Sequence, residues 1–172
     1  TAERRESFMT DAHGRDHITE AEMAVDKTGK IVALRGHTNA NLGAYLSTFA
    51  PLIPTFLYGP LLSGAYKIPE IYCEVIGSLS NTTPVDAHRG AGRPEATYLL
   101  ERMCDLTAKA IGMDPAEFRR KNLVPAAEFP YQTPVALQYD TGNYDATLDA
   151  AVKMADVAGF AKRKEESAKK GK

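Results

Sequence analysis

The sequence predicts an α+β fold, an antiparallel hairpin and mixed strands packed with helices. Three observations carry it. Residues 17 to 41 alternate with the period of strands, two later segments repeat their apolar residues at helical spacing, and no regular β-α-β alternation of a doubly wound sheet is present. The 172 residues, 44% hydrophobic and 25% charged, suit one globular unit with a genuine core. Residues 1–160 are expected to form that unit, with a basic, frayed tail at 161–172.

Ala21, Met23 and Val25 face one way and Glu20, Glu22 and Ala24 the other, which marks a half-buried strand over 17–25. The turn residues Asp26 to Lys30 then return the chain into the apolar run Ile31 to Leu34, closing a hairpin that extends to Asn41. Pro51, Pro54 and Pro60 break the apolar stretch 43–66, leaving room only for irregular structure and a short helix near 55–64. Ile71 to Ile76 is β-prone and runs into turn residues at Ser78 to Pro84. Leu99, Met103, Leu106 and Ala110 define a helix over about 95–111 that Gly112 would end. Asp114, Pro115 and Glu117 supply an N-cap, an N1 proline and a capping-box acid, with Met113 and Phe118 as a hydrophobic staple. After a linker at 125–134, Asn143 can cap a last helix over about 144–157.

Composition excludes several function classes. With 21 basic and 22 acidic residues the net charge is −1, too little field to hold nucleic acid or an anionic membrane surface. Cys73 and Cys104 lack C-x-x-C spacing and are expected to be reduced core thiols. No stretch approaches the ~20 apolar residues of a membrane span, and the charged start lacks a signal peptide's apolar run. A cytoplasmic location is expected. The opening residues carry neither an initiator methionine nor evident capping logic, so the sequence reads as an internal piece of a longer chain.

The chemistry concentrates in Asp86-Ala87-His88-Arg89-Gly90-Ala91-Gly92-Arg93-Pro94-Glu95, between a strand and a helix. Two glycines permit a sharp turn and a close backbone approach, and such a loop can present N–H groups to an anion. Arg89 and Arg93 add fixed, fork-shaped donors suited to phosphate, carboxylate or a metal-bound oxo group. From spacing alone, the loop is equally a turn before a helix with solvated arginines. Elsewhere, His13 and His17 are four apart, but Gly14 and the strand that follows disfavour a helical metal pair, so a structural or surface role is expected. Asp140, Asp145 and Asp149 lack the spacing of a calcium loop and fit capping and solvation.

Arg89-Gly90-Ala91-Gly92-Arg93-Pro94-Glu95 resembles the molybdenum-site loop of large subunits in the xanthine dehydrogenase, aldehyde oxidase and aerobic carbon monoxide dehydrogenase family. Tyr66-Lys67-Ile68-Pro69-Glu70-Ile71, Asp114 to Leu123, Pro130-Tyr131-Gln132-Thr133-Pro134 and Tyr139-Asp140-Thr141-Gly142 stand in family order around it. The likeness spans nearly the whole chain. It implies part of a larger molybdopterin-binding domain, with His88, Arg89, Gly90, Ala91, Gly92 and Arg93 against the cofactor and Arg89 as the catalytic candidate. No protein side chain is expected to ligate the metal directly.

The resemblance further implies a hydroxylase that oxidises an aldehyde or N-heteroaromatic substrate with water as oxygen source, aided by a glutamate base. The cofactor would be molybdenum-molybdopterin in the cytosine dinucleotide form. Its partners would be the rest of the same large subunit, a medium subunit with FAD and a small subunit with iron-sulfur clusters. Departures narrow this. Carbon monoxide-oxidising members carry a cysteine where this chain has Gly90, so a carbon monoxide dehydrogenase large subunit is expected in ancestry rather than activity. Purine hydroxylases carry a phenylalanine at the position of Ala91 and an arginine near that of Leu57, which disfavours xanthine. His88 stands where the family has an aromatic, commonly tyrosine, and packing is its expected role. The glutamate base and the upstream glutamine and phenylalanine-glycine segments lie outside these residues, so this piece alone is expected to be inactive. The rival reading is a non-catalytic anion-binding or interaction module.

Overall fold

A computed structural model describes residues 1–171. Strands β1 (His17–Val25), β2 (Ile31–Gly43) and β3 (Glu70–Leu79) form one sheet in that order, with β1 and β2 antiparallel and β2 and β3 parallel. The first two strands are the hairpin expected from the alternation. Its turn is set by Asp26, whose carboxylate accepts from the Thr28 and Lys30 amides at 2.7 and 3.0 Å, while Gly29 takes a φ of +86°. The parallel pairing of β2 with β3 needs a crossover, and residues 44–69 supply it. In place of the expected short helix there is a single 3-10 turn, Gly59–Leu61, because the prolines deny the segment a regular hydrogen-bond ladder.

Helix α1 (Arg4–Thr10) precedes the sheet, and helices α2 (Arg93–Ala110) and α3 (Pro115–Asn122) follow it. One face of the hairpin and the crossover pack against α2 and α3. Ile31, Leu34, Tyr58, Leu62, Tyr66, Ile68, Leu100, Cys104 and Phe118 are all at most 3% exposed in this core. The opposite face is solvated, with Glu20, Glu22, Arg35 and Glu74 exposed. Burial of a Leu- or Phe-sized side chain contributes about 1.5–3 kcal/mol, so this single apolar layer orients α2 on the sheet.

Local chemistry fixes the turn between the two helices. Gly112, at φ +68°, and Met113 donate to the carbonyls of Lys109 and Ala108 at 3.2 and 2.9 Å, closing α2 with a Schellman motif. The Asp114 carboxylate then accepts from the Ala116 and Glu117 amides at 2.9 and 3.0 Å, and Phe118 is fully buried. Asn122, at the end of α3, accepts from the Ile31 amide at 2.9 Å and donates to the carbonyls of Gly29 and Phe118 at 3.0 and 2.9 Å. It ties the helix pair to the hairpin turn.

Residues 131–139 form a small hairpin of β4 (Tyr131–Gln132) and β5 (Gln138–Tyr139), and helix α4 (Tyr144–Met154) is capped by Asn143 as expected. The ends differ from expectation. The Glu3 amide donates to the Glu6 carboxylate at 3.0 Å, a capping interaction that starts α1. The tail expected to fray is helical as α5 (Phe160–Lys169), which buries no residue and carries a Lys169–Glu165 ion pair at 2.8 Å one turn apart. Cys73 and Cys104 are both free thiols; burial pushes the Cys104 thiol up to about 12, as suits a core group. Among the described residues no helix is long and apolar enough to cross a membrane.

Candidate active-site loop

The chain leaves β3, turns through 80–84 and enters the loop 86–92 immediately before α2. Three successive residues have left-handed backbones: Gly90 at φ +104°, Ala91 at +42° and Gly92 at +83°. Such a run in a short loop holds an alanine where L side chains rarely sit, and the surrounding contacts must impose it. Two internal bonds close the turn, Ala91 N–H to the His88 carbonyl at 2.8 Å and Arg93 N–H to the Gly90 carbonyl at 3.2 Å. The N–H groups of Arg89 and Gly90 have no acceptor among the described residues. His88, Arg89 and Arg93 are exposed, Gly90 and Ala91 are half-buried, and Gly92 is buried.

The glycines serve the protein's own packing. A Cβ on Gly92 would sit 1.9 Å from the Leu57 carbonyl oxygen and 2.8 Å from that of Ile53, so the loop presses directly on the crossover backbone. A Cβ on Gly90 would meet Pro94 Cγ at 2.6 Å. The close approach that the sequence assigns to a ligand is made here by Leu57 and Pro94.

Beside the loop lies a cavity of about 510 Å³ lined by Arg15, His17, Thr19, Tyr58, Pro94, Glu95, Tyr98 and Leu99. Residues 88–93 do not line it themselves; Arg15 and Pro94 connect the two. Its floor is polar: the Thr19 and Thr38 hydroxyls are 2.9 Å apart, and Thr38 is 3.1 Å from the Tyr58 hydroxyl. Burial raises the Tyr58 phenol above its ordinary value and keeps it a neutral donor. His17 stacks edge-on against Tyr58 at 5.4 Å. Its Nδ1 has no hydrogen-bond partner, and burial holds its pKa down against the opposing pull of Glu95 and Asp16. The Glu95 side chain is 9% exposed, and its Oε2 is likewise unpartnered. Orphaned buried polar atoms of this kind point to a group that the described residues do not supply.

The structure gathers Arg89 to Arg93 into one turn and brings Arg15, His17 and Glu95, to which the sequence assigned no site role, to the cavity beside it. Arg15 reaches the Arg89 carbonyl across 74 positions, and no local signal marks such a pair. Among the described residues no group of three or more His, Cys, Asp or Glu could hold a metal ion.

Residues 1–123 match the model of the molybdopterin cofactor-binding domain. The chain belongs to that family. It is similar to the carbon monoxide dehydrogenase large chain of Hydrogenophaga pseudoflava, 36% identical over 171 residues, covering 98% of this chain and 21% of that one. It is 29% identical over 180 residues to the nicotine 6-hydroxylase large subunit of Paenarthrobacter nicotinovorans, covering 99% of this chain and 21% of the relative. The crystal structure of quinoline 2-oxidoreductase from Pseudomonas putida 86 superposes with a TM-score of 0.90 at 27% identity, over 99% of this chain and 22% of that one. The chain thus spans about a fifth of the length of these relatives, and its α+β arrangement is that of a part of a larger molybdenum enzyme.

The residues present fit such a cofactor on two counts. The free Arg89 and Gly90 amides beside two exposed arginines are suited to anionic oxygens, and the unpartnered Glu95 and His17 atoms await hydrogen-bonding groups.

Proposed function

We propose that this chain supplies one wall of the active site of a molybdenum hydroxylase that oxidises an N-heteroaromatic or aldehyde carbon. The observation that carries the proposal is the strained, donor-rich turn at 88–93 opening next to a cavity with apolar and aromatic walls. When bound, the molybdenum cofactor supplies oxidation of carbon with water as the oxygen source. The chain's residues bind and orient. Arg89 and the Arg89 and Gly90 amides hold negatively charged oxygens of the cofactor, and Arg93 at the first turn of α2 adds positive charge there, next to the helix N-terminus. His88, Ala91 and Gly92 shape the same contact surface. Tyr98, Leu99, Pro94 and Tyr58 line a space into which a flat ring fits, and their apolar surface excludes water from it.

The similarity to carbon monoxide dehydrogenase marks ancestry in this reading. Gly90 offers no thiol, and a cysteine at that position would force the Pro94 ring, 2.6 Å from its Cβ, to shift. Ala91 leaves open the volume that a purine-stacking phenylalanine would occupy. The complete protein would hold the cofactor in its cytosine dinucleotide form and act in the cytoplasm with a FAD-binding medium subunit and an iron-sulfur small subunit. Residues 1–160 would act as one unit within the large subunit, completed by the glutamate base and further cofactor contacts from the rest of that subunit.

The test is expression of the whole large subunit with its partner subunits, followed by molybdenum analysis and assay against quinoline, nicotine, an aromatic aldehyde, xanthine and carbon monoxide. Turnover of a heteroaromatic or aldehyde, lost in Arg89→Ala by about a hundredfold or more, is expected. Carbon monoxide or xanthine as the best substrate, or an Arg89→Ala enzyme of normal rate and molybdenum content, would sink the reading.

A further inference from the structure

We infer that Arg15 is a positioning residue for the loop 88–93, and that the segment His13 to Asp16 is the brace through which it acts. The inference rests on the proposed role of that loop. The segment lies alongside the loop's base: His13 N–H donates to the Pro84 carbonyl at 2.9 Å, and Asp86 N–H donates to the His13 carbonyl at 2.8 Å. Gly14 touches the loop directly, since a Cβ there would lie 2.6 Å from His88 Cβ. Arg15 follows with a left-handed backbone, φ +55°, which turns its side chain toward the loop. Its Nη2 donates to the Arg89 carbonyl at 2.6 Å, while its Nε lies 3.7 Å from Glu95 Oε1 in the first turn of α2.

These contacts do what the loop cannot do alone. The turn holds only two internal bonds, so the orientation of the peptide joining Arg89 to Gly90 needs an external fix. That peptide's carbonyl is the one Arg15 holds, and its N–H belongs to Gly90, one of the loop's free donors. Fixing the carbonyl on one side of the peptide plane aims the N–H to the other. Arg15 therefore sets the direction of a cofactor-facing donor. Glu95 steadies the guanidinium, and Asp16 locks the far end of the brace, its carboxylate accepting from Asn41 Nδ2 at 2.7 Å and its carbonyl from the Asn41 amide at 2.9 Å.

The experiment compares Arg15→Ala, Arg15→Lys and Arg89→Ala in the complete, assembled enzyme. Amide hydrogen exchange over 86–95, molybdenum content, and the electron paramagnetic resonance signal of the centre after partial reduction with dithionite are the readouts. In Arg15→Ala the loop amides should exchange about tenfold faster or more, while β1, β2 and α2 stay protected. The resonance signal should change its line shape at near-normal molybdenum content, and Arg15→Lys should restore part of both. Should Arg15→Ala fail to assemble, Arg15→Lys carries the same comparison with a smaller amplitude. Unchanged loop exchange and an unchanged signal in the Arg15 variants, alongside loss of molybdenum in Arg89→Ala, would overturn this inference alone. An unchanged Arg89→Ala enzyme would instead remove the role of the loop.

Discussion

The α2–α3 corner and the loop 86–92 are both turns that feed a helix, but they are stabilised in opposite ways. At the corner every special residue finds a partner: Gly112 closes α2 and Asp114 opens α3 within a few positions, and Asn122 satisfies both its oxygen and its nitrogen on the distant hairpin turn. The loop takes three left-handed residues in a row, leaves the amides of His88, Arg89, Gly90 and Gly92 without an acceptor among the described residues, and is held by groups far away in the chain. A self-satisfied turn is a scaffold. An unsatisfied one, imposed from outside, leaves donors open, which is what the proposed role of the loop requires.

The largest effect should come where the loop presses on the crossover backbone. Gly92→Ala adds a Cβ that would overlap the Leu57 carbonyl and places an alanine at φ +83°, so either the crossover or α2 must move. A loss of about 4 kcal/mol is expected from strain and overpacking together, measurable by urea unfolding of the purified chain. A loss below about 1 kcal/mol, within the range of an ordinary surface substitution, would show that the contact is relaxed easily and that the loop is not imposed by the crossover.

The corner offers the counterpart. Asn122→Ala strips the Ile31 amide and the Gly29 carbonyl of their buried partner. A loss of about 3 kcal/mol follows from leaving such groups unpaired, and faster amide exchange at Ile31 would report it locally. An unaltered Ile31 exchange rate would mean that the hairpin turn holds itself without α3.

The contrast also explains what the sequence could reveal. The corner was legible because its signals are local: Asp114, Pro115, Glu117 and the Met113–Phe118 staple act within five residues of one another. So were β1 and β2, whose alternation is a direct print of one buried face. The parallel seating of β3 was not legible, because the crossover that permits it contains almost no regular structure, and its core residues Tyr58, Leu62 and Tyr66, four positions apart, carry no signal of which strand the segment delivers next to β2. Spacing in the loop showed only a turn with arginines; the family resemblance supplied its chemistry. The roles of Arg15, Gly14 and Glu95 could be read in neither way, since they exist only where segments 70 or more residues apart come together.

The smallest effect concerns the cavity floor, and it tests whether the unsatisfied character of the loop region extends to His17. This imidazole faces Tyr58 on the crossover, Glu95 on α2 and the neighbouring Arg15 and Asp16, with its Nδ1 unpartnered. Burial depresses its pKa in the folded chain, so the unfolded chain binds the proton more readily. Stability from this group is fully present above the unfolded value of about 6.5 and declines as pH falls from there toward the lower folded pKa. The melting midpoint of the chain should therefore fall as pH is lowered from 7.5 to 5.5. His17→Phe keeps the edge-on contact with Tyr58 and has nothing to titrate, so its midpoint should fall less over the same interval. Equal slopes in the two proteins would mean that position 17 takes up a proton without cost, as it would if Glu95 turned its free oxygen to the imidazolium and made the cavity floor as self-satisfied as the corner.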